Sequence, residues 1–223
     1  MKNNSKNFRT NILSILRNHP KLKGCNSQKN FFIKNKTFTG AEKIMRLKRI
    51  MEQSRTEVHL CSENSWYSKL CSVAKDKKIK KMLFGKNTDL GKKLLKMSQF
   101  GSFSLPELVN YELPVEESID SLFEIDSAIT STRGGIAETG SIIIWPSFEE
   151  PRLMSLLPPI HIAVLYANKI HNTFGEVINK EKWHVEMPTN AILISGPSKT
   201  ADIEQRLVYG VHGCKELVVL LIK

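Results

Sequence analysis

Apolar runs of strand length, separated by segments of helical periodicity, constrain this chain most. The clearest runs span residues 142–145, 160–167 and 216–222, and residues 169–180 between two of them have helical spacing. Strands that are apolar on both sides must be covered on both faces, which is typical of parallel sheets flanked by helices. The sequence therefore predicts an α/β fold built on a mostly parallel sheet.

The same patterns predict the order of elements and two regions. We expect an amphipathic helix at 7–18 and a polar segment to residue 39, so that residues 1–55 form a basic N-terminal helical arm and residues 56–223 form the α/β domain. The first 39 residues carry few strand signals, and their removal should leave the sheet folded. Predicted strands are 58–61, 79–84, 127–130, 141–145, 161–166, 191–195 and 216–222, and predicted helices are 41–54, 63–75, 89–97, 119–124, 169–180 and one that starts after Lys199.

Composition narrows the class of protein. With 41% apolar and 25% charged residues, the chain is typical of a globular protein, and no apolar run approaches the ~18–20 residues of a membrane span. The N-terminus has no apolar core and no cleavage site of a signal peptide, so we expect a cytoplasmic protein. Its four cysteines stand far apart without a C-x-x-C pair, which argues against zinc or iron–sulfur ligation and favours reduced thiols.

Charge divides the chain into two halves. Residues 1–100 carry 24 lysines and arginines against 6 acidic residues, whereas residues 101–223 carry 9 against 16. The lysines are spread out without interleaved aromatic residues, which is typical of a solvated surface, so nucleic acid is not the expected partner. A basic half beside an acidic half could instead orient self-association into a homo-oligomer or docking on an acidic partner.

Three loops beside predicted strands carry the candidate site. The first, residues 130–140, contains Gly134 and Gly135, which allow a close approach of the backbone to a ligand, and Arg133 as a cation beside them. Glu138 could act as a base or accept a hydrogen bond from a hydroxyl. Alternatively, the glycines form an ordinary turn and Glu138 lies in solvent or caps a helix.

The second loop, residues 149–161, ends in two prolines that fix the backbone where a buried strand begins. His161 at that point could be a base, a donor to an oxyanion, or a strand residue bonded to a carbonyl. Arg152 is suited to a bidentate grip on a carboxylate, or it pairs with a neighbouring glutamate.

The third loop, residues 195–204, joins a strand to a predicted helix start through a Gly-Pro turn. Ser198 and Thr200 would cap that helix or bind a ligand, and Asp202 would accept from a hydroxyl or an arginine, or complement the helix dipole. His212 lies between two glycines before the last strand. The histidines and carboxylates have no pair at helical i, i+4 spacing, so we predict no metal.

Read together, these loops resemble the LUD-domain family, most closely its lactate-utilisation proteins. The matching strings are IAETGS at 136–141, EEPRLMSLLPPIHIAVL at 149–165, PTNAILISGPSKTADIEQ at 188–205, and GVHG followed by KELVVL at 210–220. The resemblance is strong over residues 120–223 and weak back to residue 56. Cys214 departs from the pattern, which usually has a proline there.

The resemblance implies a Rossmann-like sheet similar to that of the glucosamine-6-phosphate isomerase, ribose-phosphate isomerase and CoA-transferase group. It also implies a soluble subunit that helps oxidise L-lactate to pyruvate beside iron–sulfur partner subunits, with no cofactor in this chain. The family's recurrent residues fall on Glu138, Thr139, Gly140, Arg152, Pro158, Pro159, His161, Ser195, Gly196, Pro197, Ser198, Thr200, Asp202, Gly210, His212 and Gly213.

From these observations we predict a site for a small 2-hydroxy or 2-oxo carboxylate. Arg152 would grip the carboxylate, and His161 or His212 would exchange a proton with the hydroxyl. Glu138 with Asp202 would orient that histidine or the ligand. The other substrate-binding residues predicted are Thr139, Gly135, Gly196, Ser198, Thr200 and Asp202. The alternative is an independent enzyme or binding protein for a phosphorylated or CoA-linked metabolite, and whether the chain is itself catalytic stays open.

Overall fold

The computed structural model describes residue 14 and residues 37–100, 104–111, 124–183, 185, 188–201, 207–210 and 213–223. The predicted helices at 7–18 and 119–124 lie almost entirely outside these residues. The strands are β1 Glu57–Cys61, β2 Lys81–Phe84, β3 Glu107–Asn110, β4 Ser127–Ser131, β5 Gly134–Ile136, β6 Ser141–Ile144, β7 Ile160–Tyr166, β8 Ile170–His171, β9 Ile192–Ile194, β10 Lys199–Ala201, β11 Leu207–Tyr209 and β12 Glu216–Ile222. The helices are α1 Gly40–Gln53, α2 Trp66–Asp76, α3 Asp89–Phe100, α4 Leu153–Leu156 and α5 Phe174–Lys180, with a 3-10 turn at Ala167–Lys169.

A six-stranded sheet with the order β1-β12-β7-β4-β2-β3 forms the centre of the fold. All of its neighbouring strands pair in parallel, which confirms the predicted α/β class. A second sheet with the order β8-β5-β6-β9 contains two strands, β6 and β9, that the sequence pattern does not separate from the large sheet. β10 and β11 form an antiparallel hairpin.

Both faces of the large sheet are buried. Successive residues of a strand point to opposite faces. Ile162 and Val164 of β7 therefore belong to a buried cluster with α2 and α3, whereas Ala163 and Leu165 belong to a cluster with α1 and the small sheet. Met154 of α4 belongs to a third cluster with residues of β2 and β4. The continuous apolar runs are thus a consequence of the double coverage.

Helix α1 packs against the domain that follows it. Thr39 caps its first turn through a capping box with Glu42, and Leu47 and Met51 are fully buried. Gly135 of β5 allows this packing, because a Cβ there would lie 2.7 Å from Leu47 Cδ1. The family-like region therefore makes contacts with residues before position 56, although the boundary after residue 55 stays a prediction.

Two predicted helices are wrong at their starts. Residues 170 and 171 form β8, which pairs with β5, so the helix expected at 169–180 begins only at Phe174, where Thr173 caps it. The segment after Lys199 is a strand and not a helix, because its backbone pairs with β11. In both cases strand pairing takes the backbone hydrogen bonds that a helix would use, with a strand distant in sequence for β8 and within a local hairpin for β10.

We expect Leu47→Ala to lower the free energy of unfolding by about 2–5 kcal/mol, since it removes a fully buried side chain between α1 and the sheets. Met45→Ala on the same helix is the control, because Met45 is 60% exposed. Urea unfolding followed by circular dichroism measures both changes. Equal, small losses would place α1 outside the cooperative unit and support a boundary at residue 55.

Candidate functional site

The large sheet contains a topological switch point, where the chain leaves two neighbouring strands toward opposite sides of the sheet. After β2 the chain continues outward to β3, whereas after β4 the next strand of the same sheet is β7 on the other side. Between the carboxyl ends of β2 and β4 the connections diverge, and open α/β sheets bind their ligands at such a switch point. A cavity of about 680 Å³ lies there, lined by residues within 88–93, 131–133, 145–150 and 164–169; we call it the crevice.

Close backbone packing forms one wall of the crevice. Thr88 Oγ1 accepts from the amide of Gly91 at 3.0 Å and donates to the carbonyl of Gly85 at 2.8 Å, so it caps α3. A Cβ on Gly91 would lie 2.0 Å from that carbonyl, and one on Gly85 would lie 2.6 Å from the carbonyl of Glu149. Glycine at both positions therefore lets the end of β2, the start of α3 and residues 149–150 meet.

Glu150 is a buried carboxyl that lines the crevice. Its side chain accepts from the amide of Ser131 at 3.1 Å and from the hydroxyl of Ser131, and the residue is only 7% exposed. Burial raises the pKa of Glu150, although hydrogen bonds from Ser131 and from the Thr88 side chain partly oppose this. Among the described residues it has no cationic partner. A carboxyl of this kind can accept a hydrogen bond when ionised and donate one when protonated.

Arg133 follows β4 and lines the same crevice as Ser131, with its side chain held by two contacts. Its Nε donates to Glu181 at 2.8 Å, and its guanidinium lies 5.2 Å from the centroid of the Trp145 ring. Glu181 also accepts from Trp183 Nε1 at 3.2 Å. Burial raises the pKa of Glu181, but the hydrogen bonds from Arg133 and Trp183 outweigh it and hold that pKa below its usual range. The remaining guanidinium N–H groups are suited to an anion.

Three lysines add positive charge to the crevice. Lys93 donates to Glu63 at 2.6 Å and to the Tyr166 hydroxyl at 3.0 Å, and these bonds raise its pKa to about 12. Lys92 and Lys169 also line the crevice and form no ion pair with any residue in the described part of the chain. The crevice thus combines hydroxyls and a buried carboxyl with cations, which suits a small anion that also carries a hydroxyl.

His161 lies elsewhere, near the amino end of β7. Its Nε2 is 2.8 Å from Thr130 Oγ1, and its Nδ1 is buried without a hydrogen-bond partner among the residues described. The residue has no exposed surface, and burial lowers its pKa to about 4. His161 is therefore neutral near pH 7.

The third predicted loop also lies at the amino edge of the sheet. The amide of Ser198 donates to the carbonyl of Cys214 at 2.9 Å. Lys215, which follows Cys214, donates its amide to the carbonyl of Pro159 at 2.8 Å. Gly196 packs against the end of α1, where an added Cβ would lie 2.7 Å from the carbonyl of Ser54. The backbone of Thr200 belongs to β10, and Asp202 and His212 lie outside the described residues.

The remaining predicted residues are in two further places. Glu138 and Thr139 form the turn between β5 and β6; the amide of Glu138 donates to Asn172, and the Thr139 hydroxyl is 2.9 Å from that of Ser141. Gly135 is buried under α1, as described above. Arg152 is exposed before α4, and no contact of its guanidinium with a described residue is found. The predicted convergence of the three loops stays a prediction.

The sequence pattern does not mark the crevice residues as a set. Ser131 and Arg133 belong to the first predicted loop and Glu150 to the second, where its only predicted role is as a partner for Arg152. The string G-K-N-T-D before a predicted helix, at residues 85–89, was the available signal for the remaining wall.

Two further properties bear on the function. No group of three or more His, Cys, Asp or Glu side chains that could hold a metal ion is found in the ranges described. Within the same ranges, no helix has both the length and the apolar character required to cross a bilayer.

Fold and crevice together define an open parallel α/β protein with a polar crevice at its switch point. The sequence profile of the LUD domain matches residues 44–222, and the chain belongs to the LUD domain family. An uncharacterized protein of Neisseria meningitidis is 35% identical over 179 residues, which cover 77% of this chain and 73% of that protein.

Other relatives carry a functional name. Lactate utilization protein C 1 of Bacillus mycoides is 26% identical over 77% of this chain and 75% of its own length. Lactate utilization protein C of Bacillus subtilis is 32% identical over 111 residues, 48% of this chain and 46% of that protein. A crystal structure of a DUF162 family protein from Deinococcus radiodurans superposes with a TM-score of 0.60 at 16% identity, covering 84% of this chain and all of that one, and shows a shared fold.

The low pKa of His161 predicts a loss of stability in acid. The unfolded histidine binds a proton below about pH 6.5, while the folded one does so only below about pH 4. Between these values the free energy of unfolding should fall by an amount on the order of 3 kcal/mol as pH decreases. Urea unfolding of wild type and His161→Gln between pH 7 and 4 measures the difference. His59→Gln is the control, and an unchanged pH slope in His161→Gln would contradict the assignment.

The raised pKa of Glu150 predicts the opposite dependence. An acid with a raised folded-state pKa destabilises the fold when it is ionised, so its unfavourable contribution appears as pH rises through that pKa. We expect the melting temperature of Glu150→Gln, relative to wild type, to increase from pH 5 to pH 8. Differential scanning calorimetry measures it, and a difference that shrinks over this range would show that Glu150 is stabilised as an anion.

Proposed function

We propose that this protein is a subunit of a complex that oxidises L-lactate to pyruvate and passes the electrons to iron–sulfur partner subunits. The observation that supports it most is the placement of Arg133 beside the Ser131–Glu150 pair in the crevice. The names of the relatives support lactate utilisation as the process. The inference that iron–sulfur partner subunits exist rests on the family resemblance of the loop strings described above.

The crevice fits the chemistry of a 2-hydroxy acid. The carboxylate of the 2-hydroxy acid would bind the guanidinium of Arg133, which Glu181 and Trp145 hold in place. The neighbouring hydroxyl would then meet the hydroxyl of Ser131. Arg152 with His161, His212 and Glu138 is a competing site for the same ligand, and the two sites predict different effects of mutation.

One observation favours the alternative of a larger, phosphorylated or CoA-linked metabolite. At the ~30 Å³ that a water takes in the liquid, the six non-hydrogen atoms of lactate fill at most about 180 Å³, against about 680 Å³ in the crevice. Lys92 and Lys169 would supply charge for a phosphate. A thermal-shift screen with lactate, pyruvate and phosphorylated metabolites separates the two, because only ligands of the native state raise the melting temperature.

We expect Arg133→Lys to weaken binding of lactate or pyruvate roughly ten- to a hundredfold, because lysine keeps the charge but loses the planar fork, worth about 1.5–3 kcal/mol. Arg152→Lys is the matched variant and should leave binding unchanged. Isothermal titration calorimetry measures both, with the melting temperature as a check on folding. A loss confined to Arg152→Lys would transfer the carboxylate site to the second predicted loop.

The role in a complex needs a cellular test. A strain whose gene for this protein is deleted should lose growth on L-lactate, and the wild-type gene should restore it, whereas a gene encoding Arg133→Lys should restore it poorly. Affinity purification from lactate-grown cells should recover iron–sulfur proteins, detected by their metal content. Unchanged growth of the deletion strain together with purification of the protein alone would reject the proposal.

A further inference from the structure

We infer that Ser131 and Glu150 form a proton relay that distinguishes the hydroxy from the oxo form of the bound acid. This inference rests on the proposed function and names the group that handles the oxygen at C2. With a 2-hydroxy acid bound, Glu150 would be ionised and would accept through Ser131; with a 2-oxo acid bound, Glu150 would carry a proton and Ser131 would donate to the ligand. The two bound forms would differ by one proton on Glu150.

The position of the pair supports the relay. Ser131 is the exposed last residue of β4, and its hydroxyl donates to the carboxylate of Glu150, which has only 7% of its surface exposed. A ligand at this edge would therefore meet the serine hydroxyl first. A hydroxyl can donate and accept at once. The Ser131 hydroxyl can therefore couple the protonation of Glu150 to whether the ligand oxygen is a donor or only an acceptor.

The pattern of hydrogen bonds leaves Glu150 free to change its protonation state. The amide of Ser131 reaches both carboxylate oxygens, at 3.1 and 3.2 Å, and it remains a donor whether or not the carboxyl is ionised. The Ser131 hydroxyl, by contrast, can rotate between donor and acceptor roles. The Thr88 hydroxyl also supplies a hydrogen bond that lowers the pKa of Glu150. Beside it, the Ser131 amide is a fixed donor, and the Ser131 hydroxyl is the reversible partner that a two-state relay requires.

The charges around the carboxyl do not lock it as an anion. The charged side chains of the crevice are Asp89, Lys92 and Lys93 from α3, Arg133 from the end of β4 and Lys169 from the turn after β7, and Glu149 adjoins in sequence. Arg133 and Lys93 are already paired with Glu181 and Glu63. None of the cations in the described ranges lies within ion-pair distance of Glu150, and its burial favours the neutral form.

The chemistry of the ligand supplies the driving force. A hydroxyl brings a donor and an acceptor to the site, whereas a carbonyl oxygen brings acceptors only. An ionised Glu150 behind Ser131 would hold the serine hydroxyl as its own donor and leave the facing 2-oxo oxygen without one, which disfavours binding. Uptake of one proton removes that cost, and this proton is equivalent to the one that the hydroxyl loses on oxidation.

Calorimetric titration tests the relay without turnover. L-lactate and pyruvate are titrated into the full-length protein at pH 7 in two buffers of different ionisation enthalpy, which gives the protons taken up on binding. We expect pyruvate to take up more protons than lactate, by a difference approaching one. Glu150→Gln should abolish this difference, and Glu149→Gln, the neighbouring carboxylate that pairs with Asn87, should keep it.

A second measurement uses the wild type alone. The affinity for pyruvate, relative to lactate, should weaken with rising pH by up to about tenfold per unit above the pKa of Glu150. If both acids bind with the same proton uptake and pH dependence, or if Glu150→Gln keeps the difference, the relay is rejected while the proposed function stands. If neither acid binds, the proposed function is rejected together with the relay.

Discussion

Parallel pairing of the six strands is the constraint on which the rest of the structure depends. Parallel neighbours cannot be joined by tight turns, so the connections that the structure describes cross the faces of the sheet and cover them. α2 and α3 bury one face, and α1, α4 and the small sheet bury the other. The same constraint brings all carboxyl ends to one edge, where the diverging connections of β2 and β4 leave the crevice.

The polar groups of the crevice illustrate how burial is balanced against function. Glu150 loses solvation and receives hydrogen bonds from Ser131 and Thr88 that compensate only in part, so its ionised form is costly. Arg133 is stabilised differently, by an ion pair with Glu181 and by contact with the Trp145 ring. The carboxyl of Glu150 can therefore change its protonation state, whereas the guanidinium of Arg133 stays charged and fixed in position. Such an arrangement is found where a protein binds and transforms a ligand.

The family strings are distributed between this edge and other parts of the fold. His161, Ser198 and the loop before β12 belong to the amino edge, and the turn with Glu138 and Thr139 belongs to the small sheet. Several recurrent glycines serve packing: an added Cβ on Gly140 would lie 2.5 Å from Ile50 Cβ, and its φ of +61° suits glycine. Resemblance in sequence thus marks structural positions as well as candidate ligand contacts.

Sequence alone determined the fold class, because continuous apolar runs such as Ile160–Tyr166 and Glu216–Ile222 can be satisfied only by strands buried on both faces. It also placed Ser131, Arg133 and Glu150 in loops next to such strands, although Ser131 is in fact the last residue of β4. It could not assign β6 and β9 to a second sheet or residues 170–171 to a strand, since local periodicity carries no information about a distant pairing partner. Residues 199–201 pair within a local hairpin, but three residues are too short a run to show strand periodicity. Tertiary structure alone decided that Glu150 meets Ser131. Gly85 and Gly91 permit a close approach between the end of β2 and the segment after β6. This approach removes the carboxyl of Glu150 from water.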